Sequence, residues 1–138
     1  MMSQLQYPFD ANYIIQNKKK IKKELLLKQN FMEKNIAILG GSTTSEIKKI
    51  LELFLLNYGI KPNFYESEYN MYYEDAMFFN DELINFKPDI VYIHTTIKNI
   101  DRFSSISDTE EQIDNLLNNQ YLKFKNIWDS VYKKFNSV

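Results

Sequence analysis

The sequence predicts an α/β fold: a three-layer, doubly wound parallel sheet of about three strands with helices on both faces. Three observations predict it. Two short apolar runs, "IAIL" at Ile36–Leu39 and "DIVYIHT" at Asp89–Thr95, read as buried parallel strands. Each is followed by polar punctuation and then by a stretch whose apolar residues recur at helical spacing. The elements also alternate from one end to the other, helix then strand, which right-handed crossovers between parallel strands accommodate.

Taken in order, Tyr13 to Gln29 is expected to be a helix capped by Asp10, with Ile14, Ile21, Leu25 and Leu26 as its apolar stripe. The lysines at 18, 19, 20, 22 and 23 surround that stripe and read as a solvated face. This gives a helical extension over 1–30 ahead of an α/β domain over 31–138. Ile36–Leu39 is the first strand, closed by Gly40 and Gly41. Thr43 and Glu46 have capping-box spacing, and Ile47, Ile50, Leu51, Phe54, Leu55 and Tyr58 mark one face of the helix that follows. Gly59 is a left-handed stop with Pro62 shortly after it. Pro62 to Glu66 is the second strand, set beside the first by a right-handed crossover. One helix is expected from about Asp75 to Phe86, then the third strand and a loop, "KNIDRFSSIS". Ser107 and Glu110 form a second capping-box pair, opening a long final helix whose face runs from Ile113 to Phe135.

In the flavodoxin-like spatial order 2-1-3, strand 3 is left with an open edge where a fourth strand would pair. An apolar parallel edge invites pairing. The fold is therefore expected to be incomplete at its C-terminus, and self-association through the edge of strand 3 is one outcome.

Composition narrows the function. Seventeen basic and 18 acidic residues leave a net charge of −1, which argues against nucleic acid or a membrane surface as partner. With no cysteine and one histidine, a thiolate metal site or a multi-histidine cluster is excluded. The N-terminus has no apolar core of signal-peptide length, and no segment approaches the roughly 20 apolar residues of a membrane span. A cytoplasmic location is the expectation.

The chemistry converges on "GGSTT" at Gly40–Thr44 and "HTT" at His94–Thr96, which leave the carboxyl ends of strands 1 and 3 at the switch point where open α/β sheets bind ligands. As a phosphate cradle, "GGSTT" lacks the Walker spacing and its lysine. As a nucleophile turn, Ser42 needs a general base, and His94 is the one histidine available. The third reading is structural: the glycines make the turn, Thr43 caps the helix and the other hydroxyls satisfy orphan N–H groups. That reading ranks first from the residues alone. His94 has a similar structural alternative, hydrogen-bonded to neighbours such as Thr95 and Thr96. Glu66, Glu68, Glu74 and Asp75 offer carboxylates near strand 2, and Tyr65, Tyr69, Tyr72 and Tyr73 offer pocket walls or core.

The phrases "KNIAILGGSTTSEIKKILELFLLNYGIKPNFYESEYNMYYEDA" and "FKPDIVYIHTTIKNI" resemble the N-terminal region of FkbH-like proteins, a branch of the haloacid-dehalogenase-like superfamily, and the resemblance runs from "YPFD" through the helix bearing Trp128. It implies a two-part enzyme, in which a domain similar to SGNH hydrolases precedes a haloacid-dehalogenase-like domain with an aspartate nucleophile and magnesium. Some such proteins load a glyceryl group from a phosphorylated glycerate onto an acyl carrier protein. The Asp-x-Asp-x-Thr signature is not in this chain, so no cofactor is expected in it and magnesium belongs only to the absent domain. Against the SGNH pattern, Gly40-Gly41-Ser42 stands for Gly-Asp-Ser, and "HTTIKNI" stands where Gly-x-Asn-Asp is expected. Ser42 matches a catalytic position, and Asn99 approximates an oxyanion-hole asparagine at altered spacing.

The leading expectation is a substrate- or carrier-positioning module, catalytically incomplete alone, with a cleft of Gly40, Gly41, Ser42, Thr43, Thr44, His94, Thr95, Thr96 and Asn99. Its ligand would be an acyl carrier protein or a small phosphorylated or acyl substrate. The alternatives are a Ser42/His94 esterase or acyltransferase, and a non-enzymatic assembly module.

Overall fold

In the computed structural model, which describes residues 2–28, 30–78 and 80–136, the central strand β1 (Met32–Gly40) pairs in parallel with β2 (Ile60–Glu66) on one side and β3 (Ile90–His94) on the other. The order is β2-β1-β3. This is the α/β fold and strand order expected. β1 is longer than its apolar core, beginning at Met32, because its polar first half still finds ladder partners from Ile60 to Asn63.

The register sorts the side chains. Ala37, Leu39, Val91 and Ile93 share one sheet face and are buried or half-buried against α3 (Tyr72–Met77), α4 (Asp81–Phe86) and α5 (Glu110–Phe135), with Tyr72, Ala76, Leu83, Ile127 and Val131 completing that core. The alternate residues Ile36 and Ile38, also buried, face the side of α2 (Ser45–Asn57). Helix α1 (Ala11–Leu25) lies over α2 and forms a second core from Ile14, Ile21, Leu25, Leu53 and Leu56, joined by Leu5. Each fully buried Leu or Ile contributes roughly 1.5–3 kcal/mol relative to exposure. The N-terminal extension is thus packed on the domain, and Met2 N–H donates to Asn57 Oδ1 at 2.7 Å.

Local signals explain most element ends. Asp10 caps α1, accepting from Tyr13 N–H at 3.0 Å, as its position predicts. The helix stops at Leu25 rather than running on, and Gln29, the predicted end, lies outside the described residues. Gly59 takes φ +80° and ends α2, as expected of a left-handed stop.

Four expectations need correction. The Thr43/Glu46 capping box does not form: Thr44 is the N-cap, and its hydroxyl donates to Glu66 Oε1 at 2.7 Å instead of capping. Glu46 is taken by Lys18 and Lys49, which hold its carboxyl down at about 2. The predicted face of α2 is also displaced. Leu53, Leu56 and Asn57 are buried while Ile47 and Tyr58 are exposed, because α2 packs against both the sheet and α1 and is apolar around most of its girth. The expected Asp75–Phe86 helix is two helices; Asn80 interrupts it, capping α4 by accepting from Leu83 N–H at 3.2 Å. The final helix opens on a Thr109/Gln112 capping box rather than on Ser107/Glu110, with Gln112 Oε1 accepting from Thr109 N–H at 2.8 Å.

Among the described residues β3 has no strand on its outer edge. Ile90 and Tyr92, on the α2 side of that strand, are each 38% exposed.

Candidate functional site

The site grows from the carboxyl ends of β1 and β3. Gly41 N–H donates to the His94 carbonyl at 2.7 Å, extending the β1–β3 ladder one step beyond the strands. Gly40 N–H donates to Ser67 Oγ at 2.8 Å, and that buried hydroxyl reaches the Ile38 carbonyl at 3.3 Å. The turn is therefore anchored on both sides before Ser42.

After β3 the chain forms a short 3-10 turn, Ile97–Asn99, fastened by its own box. Thr96 Oγ1 accepts from Lys98 N–H and Thr96 N–H donates to Asn99 Oδ1 at 2.8 Å. The turn buries Asn99, whose Nδ2 donates to the Gly41 carbonyl at 3.0 Å and to Asn70 Oδ1 at 3.2 Å. A Cβ on Gly41 would lie 2.5 Å from this amide, so the second glycine of "GGSTT" is required for close approach. Asn99 welds the β1 turn, the β3 turn and the loop after β2 into one unit.

Two adjoining hollows open around that weld. One of about 380 Å³ is lined by Gly41, Ser42, Thr43, Tyr69, Asn70, Lys98 and Asn99. The other, about 550 Å³, shares Asn70, Lys98 and Asn99 and adds Tyr72, Tyr73, Glu74, Asp101 and Lys123. Together they fit the size of a small-molecule site. Lys123 donates to Asp101 Oδ1 at 2.7 Å and to the Asn99 carbonyl at 3.3 Å. Burial pulls its pKa down, but Asp101 and Tyr72 outweigh burial and hold it above the usual lysine value. Asp101 is lowered in turn, chiefly by Lys123. Lys98 makes no ion pair among the described residues, which leaves its ammonium free on the wall common to both hollows.

The predicted residues divide. Gly41, Ser42, Thr43 and Asn99 line the cleft. Gly40 lies beneath it, Thr44 turns away to Glu66, and Thr96 serves the 3-10 turn. Thr95 is half-buried at the end of β3 and lines neither hollow. His94 Nδ1 sits 3.0 Å from the Tyr92 hydroxyl, and among the described residues no hydrogen bond joins its ring to Ser42. Further from the turn, Tyr65 hydrogen-bonds Asp75 and Asn80, and burial followed by Asp75 raises its pKa to about 12. That cluster braces the floor under α3 and α4.

Residues missed from the sequence are Asn70, Lys98, Asp101 and Lys123. The one sign of Asn70 in the sequence is its type, an asparagine in a loop, which tolerates the left-handed region it occupies at φ +62°. Lys123 comes from α5, and nothing in its local sequence points to the cleft.

No family model matches the chain, and no match was found among curated proteins or solved structures. Among the described residues no helix is long and apolar enough to cross a membrane, and no group of three or more metal-ligating side chains stands together.

Proposed function

We propose that this chain is a substrate- or carrier-positioning module of an FkbH-like enzyme, holding a small acyl or phosphorylated group for chemistry performed by another domain. The observation that carries the reading is the Asn99 weld. It fixes a polar cleft at the carboxyl ends of β1 and β3, with hydroxyls at Ser42 and Thr43, amides at Asn70 and Asn99, and at Lys98 a cation with no ion pair among the described residues. Such a wall suits a carboxylate or phosphate: the lysine supplies charge, and hydroxyls and amides supply directed hydrogen bonds. The ion pair Lys123–Asp101 fixes the far wall without adding net charge. Magnesium and the phosphoryl chemistry implied by the family belong to the haloacid-dehalogenase-like domain, outside this chain.

Hydrolysis or acyl transfer by Ser42 is the second reading, favoured by Ser42 and Asn99 sharing one hollow. An unactivated serine is a poor nucleophile, and of the imidazole nitrogens Nδ1 is the one held, by the Tyr92 hydroxyl. Two measurements separate the readings. Calorimetric titration with phosphoglycerate is expected to show binding that weakens about tenfold in Lys98→Ala, as loss of one charge-assisted hydrogen bond implies. A fluorophosphonate is expected to leave Ser42 unlabelled. Labelling that disappears in His94→Ala would overturn the positioning reading in favour of the enzyme.

A further inference from the structure

The final helix carries more apolar surface than its own domain uses. α5 buries Ile127 and Val131 and half-buries Phe124 and Phe135 against the sheet and α3. Ile113 and Leu117 continue the line of that face five turns before Val131 and Phe135, and Tyr121, Trp128 and Tyr132 flank it, so the five form one apolar stripe within about a third of the helix's girth. Leu117 is 67% exposed, Tyr121 57%, Trp128 52% and Tyr132 65%. From Glu110 to Asn119 every residue except Leu116 is exposed. Helical turns without packing are marginal in water, so this length of helix calls for a partner.

We infer that the partner is a second copy of this chain, docked through an antiparallel α5–α5 contact about a two-fold axis. The positions of the stripe are self-complementary. With the axis between Leu122 and Lys123, Ile113 stands level with Tyr132 of the second copy and Leu117 level with Trp128, so each small apolar side chain faces a large ring. The charges agree with the same register. Glu110, Glu111 and Asp114 cluster at the start of α5 and Lys133 stands at its end, so an antiparallel pair sets acids against a lysine at both ends, while Lys134 is turned inward and donates to the Ala76 and Phe78 carbonyls. The opposed helix dipoles add to this preference. Half-exposed rings of roughly 200 Å² each, with Ile113 and Leu117, bring the apolar area of the two copies near the roughly 1,000 Å² of a specific interface. A parallel pairing would stack acids on acids, and pairing through the β3 edge would leave the stripe in water.

The test uses the whole chain, which has no native cysteine. The double variant Leu117→Cys with Trp128→Cys is expected to form an intermolecular disulfide-linked dimer under oxidation. Either single variant is expected to stay unlinked, because its two cysteines would stand about 16 Å apart along the axes. The two cysteines of one double-variant chain are equally far apart and cannot close on themselves. In sedimentation equilibrium, Asp114→Lys is expected to weaken the dimer several-fold and Asp114→Lys with Lys133→Glu to restore it, a rescue that misfolding would not produce. A monomer at about 0.1 mM, or a dimer indifferent to these charge changes and uncrosslinked in the double variant, would overturn the inference.

Discussion

Gly41→Ala is the most informative single perturbation of the site. The added methyl carbon would stand 2.5 Å from both the amide nitrogen and oxygen of Asn99, and 2.6 Å from its Cγ. A flexible surface side chain would swing aside at little cost. Asn99 cannot, because it is buried and held by the Gly41 carbonyl, the Asn70 amide and the Thr96 N–H. Displacing it therefore combines overpacking, about 1–3 kcal/mol, with loss of buried hydrogen bonds, about 1–3 kcal/mol, and we expect a total of about 3 kcal/mol by urea denaturation. In a double-mutant cycle with Asn99→Ala, the methyl gains the space the amide vacates. The Gly41→Ala cost is then expected to fall by at least about 1 kcal/mol in that background. A cost below about 0.5 kcal/mol, or additivity in the cycle, would refute the argument that glycine is present to admit Asn99.

Other outcomes follow from the same contacts. Leu39→Ala, at a fully buried position of the central strand, is expected to cost about 3 kcal/mol by the same assay. Glu66 has its carboxyl lowered because the hydrogen bonds of Lys48 and Thr44 outweigh burial, which acts in the opposite sense. Its folded-state pKa lies below the unfolded value of 4.5, so its stabilisation is complete above that value and is lost as pH falls beneath it. The urea midpoint of Glu66→Gln should accordingly decline less than that of the parent chain on acidification below pH about 5. Tyr65 shifts the other way: its contribution is complete below the unfolded value of 10 and is lost as pH rises toward about 12. Ultraviolet titration should show one late-ionising phenol that is missing in Tyr65→Phe. Asn80→Ala removes the α4 cap and the bonds to Tyr65 and Asp75 together, and should cost about 1–2 kcal/mol.

The fold was legible where one physical cause dominates a segment. "IAIL" is apolar because β1 is covered on both faces, and Gly59 stops α2 because only a left-handed residue turns the chain there. Legibility failed where distant residues compete for the same group. Thr43 and Glu46 have the spacing of a box, yet Glu66 claims the neighbouring Thr44 and two lysines claim Glu46, and those partners come from other elements. The face of α2 was misread because periodicity locates a single apolar stripe, whereas this helix is sandwiched between a sheet and α1. At the site, Asn99 was marked through the family resemblance alone, and the turn through its two glycines. Lys98 and Lys123 were not, since a lysine in a loop or on a long helix looks like any solvated lysine until the fold turns it toward a cleft. His94 shows the reverse. Its rarity drew attention, and the structure gives it a neighbour on its own strand, Tyr92.

We propose that the Asn99 weld builds a cleft for a small anionic or acyl group. A nitrogen–proton correlation spectrum recorded during titration with phosphoglycerate tests it most directly. Saturable shifts are expected at the Gly41, Ser42, Asn70, Lys98 and Asn99 backbone amides and at the Asn70 and Asn99 side-chain amides, with α1 unmoved. No shifts at millimolar ligand, or shifts centred on α1 and α2 away from the carboxyl ends of the strands, would contradict it.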